Sequence, residues 1–119
     1  MLHIDLPIYK TGCDLLSLAL RAHEQMPRSV KRHLGEKITS HCIEMLDLMA
    51  MANATQKAER AMHIRSLLKH LHTVQVLLRV SFTSRFISHK VWADATQLLI
   101  GIGNQGGGWL KSASKAPAA

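Results

Sequence analysis

Acidic residues are missing from Arg60 to Ala93, a stretch that carries six Lys/Arg and four His. A surface built only for solubility intersperses both signs. An acid-free run leaves little internal ion pairing and projects a field of one sign, which suits a polyanion or an acidic protein surface. Aromatics are also scarce, with two Trp, one Tyr and two Phe in 119 residues. Leu, Ala, Met, Ile, Lys and Arg dominate instead, a palette that favours helix over sheet. Cys13 and Cys42 are too few for a disulfide framework, and no CxxC pair exists. Both fall on apolar helical faces and read as small buried hydrophobes of a reduced, intracellular protein, taken here as cytoplasmic. No apolar run approaches the roughly 20 residues of a membrane span. Asp5 and Pro7 precede any apolar stretch, so no secretory pattern opens the chain.

What remains is a basic, apolar-rich chain of one-domain length, with a formal charge of +7 and 47% hydrophobic residues. That apolar share argues against a disordered basic protein. Hydrophobic periodicity predicts four helices, at about 7–25, 28–52, 55–82 and 88–111, followed by a frayed tail of small residues over 112–119. Pro7 suits a first-turn position, Pro27 breaks the first helix or opens the second, and Ser88 suits an N-cap. Asn53 reads as a terminator and Thr55 as the N-cap of the third helix. In the first helix Tyr9, Cys13, Leu16 and Leu20 form the expected inward stripe. Leu15, Leu18 and Ala22 then make a second apolar surface, available to an oligomer seam. Val30, Leu34, Ile38, Met45 and Met49 mark the inner side of the second helix. Ile64, Leu67, Leu68, Leu71, Val74, Leu78 and Phe82 mark that of the third. Short connections imply an all-α, up-down-up-down antiparallel four-helix bundle.

Several apparent sites fail on context. Gly101, Gly103 and Gly106 match a dinucleotide fingerprint, but that motif works only where a strand ends and a helix begins. Here a helical pattern precedes it. Glycines 101, 103, 106, 107 and 108 each cost a helix interior roughly 1 kcal/mol against Ala, so close helix packing is expected to offset them. No two of the eight His stand three or four residues apart in the chain, and His63 and His70 lie about 10 Å apart along a helix axis. His41-Cys42-Ile43-Glu44 resembles a zinc-protease helix until Met45, which is not a ligand. Seven of the eight acids, all but Asp5, sit on helices among basic neighbours, and no nucleophile elbow or phosphate loop occurs. No catalytic residue, metal ligand or cofactor is assigned.

The cations carry the functional expectation. On the third helix Arg65, Lys69, His72 and Arg79 fall within about 80° of one another, opposite the apolar side, with Arg60 near the start. Arg28, Lys31, Arg32 and Lys37 crowd the start of the second. With few rings for stacking, contacts to nucleic acid are expected to be phosphate-directed and weakly sequence-specific. Arg65, Lys69 and Arg79 lead the candidates, with Arg28, Lys31, Arg32 and Arg60 beside them. A protein-only adaptor using the same faces is the alternative.

Tyr9 with Cys13-Asp14-Leu15-Leu16, Met26-Pro27-Arg28-Ser29-Val30 with Leu34-Gly35, and Ile102-Gly103 through Gly108-Trp109-Leu110-Lys111-Ser112 together resemble the accessory variability determinant family of diversity-generating retroelements. The likeness runs over nearly the whole chain. Asn104, Gln105 and Gly106 depart from it, since the family usually carries larger residues there. The resemblance implies a non-enzymatic partner of a reverse transcriptase, a four-helix bundle assembled into a basic, ring-like homopentamer. It also implies binding of RNA or DNA in support of error-prone cDNA synthesis. The four-helix proteins encoded within intervening sequences of ribosomal RNA genes share the architecture, but their Ser-Ile-Pro and Asn-Ile-Ala-Glu-Gly motifs are absent.

Overall fold

The computed structural model describes residues 1–115, and within them the chain is helical with no strand. After a 3-10 turn at His3–Asp5, helix α1 spans Pro7–Gln25. Helix α2 is composite: one turn at Arg28–Val30, a π-helical stretch at Lys31–Gly35, and a regular run at Glu36–Ala54. Helices α3 and α4 span Lys57–Thr83 and His89–Ser114. α1 packs on α2 and α4, and α3 packs on the same two, around one core in a rod of 53 × 22 × 21 Å. Helix α4 continues through Ser112, where a frayed tail was expected, and 116–119 of that tail lie outside the described residues.

Helix α1 corrects the inward stripe. Ile8, Gly12, Leu15, Ala19, Ala22 and Met26 are buried, whereas Cys13 and Leu20 are exposed and Tyr9 and Leu16 half-buried. The buried set keeps the four-three spacing one residue earlier, a rotation of about 100°. Leu15, Leu18 and Ala22 are therefore core, at 1%, 2% and 0% exposure, and supply no seam to a second copy. Each buried Leu contributes about 2 kcal/mol of transfer free energy, and Leu15→Ala would also leave a cavity. The core expectation held for Cys42, which is buried with its thiol pushed up to about 12 by desolvation, but not for Cys13.

Local chemistry explains the ends. Pro27 caps the short first turn of α2, and Glu36 N–H bonding back to Lys31 C=O defines the π register. Beside it a Cβ on Gly35 would lie 2.7 Å from His23 Cδ2, so α1 and α2 cross there closely enough to require glycine. Thr55 does not cap α3; its hydroxyl donates back to Met51 C=O at 2.9 Å, closing α2, and Gln56 holds the cap position without a side-chain bond. Asn53 is likewise still helical, since α2 runs to Ala54. Helix α3 ends with Phe86 N–H on Ser81 C=O and Arg85 N–H on Phe82 C=O, with Arg85 in the left-handed region at φ 64. That is the Schellman pattern, with Arg where Gly is usual. Ser88 accepts from Val91 N–H at 3.2 Å and starts α4. Of the α4 glycines, Gly106 is closely packed, its Cβ position 2.9 Å from Leu68 Cδ2, while Gly107 and Gly108 have nothing within 4 Å. Close packing thus accounts for Gly106 and not for those two.

Candidate nucleic-acid interface

Helix α3 turns Ala61, His63, Ile64, Leu67, Leu71, Val74 and Leu78 into the core. That placement dictates what faces out. Arg65, Lys69, His72 and Arg79 are all exposed along the opposite side. Arg65, Leu68, Lys69, His72 and Thr73 line an open depression there. Among the described residues the one ion pair is Lys90–Asp94 at 3.3 Å, so none of these four has a carboxylate partner. Arg65 and Lys69 stand at i,i+4, where like charges cost a helix about 0.2–0.5 kcal/mol. A bound anion would relieve that repulsion. Val76 lies between the cations and Met62 and Val80 border them, 44–53% exposed, so the face mixes charge with apolar area.

Arg60 is employed differently. Its Nε donates to Ala52 C=O at 2.8 Å and its Nη2 to Asn53 C=O at 3.2 Å. Both carbonyls lie in the last turn of α2, where the usual i+4 donor is missing; Ala52 C=O also accepts from Thr55 N–H at 3.4 Å. The guanidinium also sits 6.0 Å from the Trp109 ring centroid. The structure therefore spends this cation on closing α2 and separates it from the other candidates.

Arg28 and Arg32 are exposed and Lys31 half-buried in the first turns of α2. Ser88 N–H donates to Gln25 Oε1 at 3.3 Å, which puts the start of α4 and the end of α1 at one end of the rod. The Arg28, Lys31 and Arg32 group begins at that end, where α3 also closes.

Two features have no counterpart in residue spacing. His41 on α2 and His70 on α3 approach Nδ1 to Nδ1 at 2.8 Å, a bond that needs one neutral acceptor nitrogen. Desolvation, then His70 and Lys37, hold His41 below its ordinary value, with Glu44 opposing. Among the described residues no group of three His, Cys, Asp or Glu is placed to hold a metal ion. The second feature is a cavity of about 210 Å³ between α3 and α4, lined by Leu71, Gln75, Arg79, Trp92, Thr96, Leu99, Ile100 and Gly103. Trp92 stacks on Phe82 at 5.4 Å between centroids and 8° between planes. Arg79 thus belongs both to the exposed stripe and to this cavity.

A family model described as bAvd-like matches residues 8–113, which takes in all of α2 and α3 and nearly all of α1 and α4. The chain belongs to the bAvd-like family. No curated protein and no solved structure matches it. As a bAvd-like protein it is of the accessory variability determinant type that the Tyr9-to-Ser112 motifs resemble. Among the described residues of this bAvd-like chain no helix is long and apolar enough to cross a membrane.

Proposed function

We propose that this bAvd-like protein is a cytoplasmic, non-enzymatic accessory protein of a diversity-generating retroelement. In this reading it binds the reverse transcriptase and an RNA or cDNA strand through basic helix faces and so supports mutagenic cDNA synthesis. The observation that carries it is the outer side of α3, where Arg65, Lys69 and Arg79 are exposed with no carboxylate partner among the described residues. Arg28, Lys31 and Arg32 extend the basic surface in the same reading. Family membership supports the role, and the scarcity of exposed aromatics supports contacts directed at phosphate.

The reading takes the helices as an up-down-up-down antiparallel bundle assembled into a ring-like homopentamer. Short connections and the Gln25–Ser88 contact support the topology. Exposed Leu20, Ile43 and Met51 supply apolar area for assembly outside the core. A symmetric ring repeats each basic stripe around one axis and multiplies weak phosphate contacts into avidity.

The test is charge reversal of Arg65, Lys69 and Arg79 together to Glu. RNA affinity should fall about tenfold or more, with helicity retained. The log-log salt slope should shrink by about 2, at roughly 0.7 for each phosphate no longer neutralised. Unchanged affinity in a salt-controlled titration would remove the stripe from the account. Exposed Met62, Val76 and Val80 on the same face favour a second reading, a protein-only adaptor. Capture of the polymerase after exhaustive nuclease treatment, with no retained nucleic acid, would select it.

A further inference from the structure

We propose that the cavity between α3 and α4 seats one nucleobase of a single strand lying along the α3 stripe. The inference rests on the nucleic-acid reading above and adds to it a site for the base. At about 210 Å³ the cavity is smaller than the roughly 300–1,000 Å³ of drug-sized ligand sites, which suits one planar heterocycle. Its lining divides as a nucleotide does. Trp92 presents an indole and Leu71, Leu99 and Ile100 an apolar wall for the base. The Gln75 amide offers both a donor and an acceptor to a base edge. Thr96 already donates its hydroxyl hydrogen to Trp92 C=O at 2.9 Å, which leaves its oxygen to accept. Arg79, shared with the stripe, faces the phosphate side. No acidic residue lines the cavity, whereas the groove between α1 and α4 carries Asp14 and Asp94.

Gly103 supports the same assignment. A Cβ there would meet only Leu71 Cδ2, at 3.6 Å, an ordinary contact. Packing therefore does not demand glycine, which helices disfavour; its absent side chain leaves the cavity open. A duplex keeps its base faces stacked, so only an unpaired strand can fill the site.

Trp109→Phe leaves Trp92 as the sole indole reporter and keeps a ring beneath Arg60. This variant is titrated with a single-stranded oligouridylate and with an abasic strand of equal length. Trp92 emission should be quenched by the first and not by the second, and the first should bind about tenfold more tightly, the scale of one stacked base. Gly103→Leu, which fills the cavity, and Gln75→Ala, on an exposed side chain, should each erode that advantage and leave abasic binding unchanged. Equal binding of both strands with unaltered Trp92 emission overturns the base site and leaves the stripe reading standing. Failure of both strands to bind overturns the two together. Quenching that follows protein concentration without nucleic acid assigns the cavity to a side chain of a second copy and likewise overturns it.

Discussion

Arg60 and Arg65 stand five residues apart on one helix and carry the same charge, yet they do opposite things. Arg60 lies where α2 runs out and donates to Ala52 and Asn53 carbonyls, while Arg65 lies where the helix has only solvent beside it. A cation near the carboxyl end of a neighbouring helix is consumed by that helix's unpaired carbonyls. One turn further on, nothing consumes it. Net charge in a sequence therefore overstates the charge that remains for a partner. The same split into committed and free residues recurs for histidine, with His41 and His70 bonded across the α2–α3 seam and His72 exposed, and for glycine, with Gly35 under His23 and Gly107 facing open space.

The sharpest way to break the comparison is to exchange the two arginine roles. Arg60→Met should lower stability by about 2 kcal/mol, since two charge-assisted bonds disappear, while Ala52 C=O keeps its bond from Thr55 N–H. The thermal midpoint should drop by about 10 °C, with RNA affinity per folded molecule unchanged. The stripe triple variant should behave in reverse, and a matched loss of binding in both would erase the distinction. Glycine gives the next largest contrast. Gly35→Ala drives a Cβ into the His23 ring and should cost about 1–2 kcal/mol net of helix propensity. Gly107→Ala meets no neighbour and should stabilise by about 0.5–1 kcal/mol in denaturant titration. Destabilisation at Gly107 in the purified protein would mean that its surface is covered by another chain.

Histidine gives the smallest effect. Because His41 is held below its ordinary value of 6.5 in the folded chain, the unfolded chain binds its proton first as pH falls. Stability should thus be level above about 6.5, decline below it, and flatten once the folded His41 also titrates. The thermal midpoint should follow by a few degrees, and His41→Asn should remove that share. A midpoint that rises on acidification would reverse the sign assigned to His41.

The helical bundle was legible because apolar residues recur at helical spacing through the chain and because Pro7, Pro27 and Ser88 punctuate it. The inner side of α1 was not. Tyr9-Cys13-Leu16-Leu20 and Ile8-Gly12-Leu15-Ala19 have the same spacing one residue apart, and periodicity cannot rank two equal stripes. The small residues Gly12, Ala19 and Ala22 were the available signal, since close helix approach selects them. Only tertiary packing could reveal that Arg60 reaches Ala52, that His41 meets His70, or that Trp92 shares a cavity with Arg79. The basic stripe itself was readable, because its members lie on one helix whose apolar residues had to point the other way.

The unequal burial of the two thiols has a practical consequence. Cys42 is enclosed and its thiolate is suppressed at neutral pH, while Cys13 stands open on the solvent side of α1. A maleimide dye offered to the native protein will therefore couple at one position without any sequence change. Energy transfer between dyes so placed tests whether copies of the protein assemble as proposed, and how near their first helices come if they do.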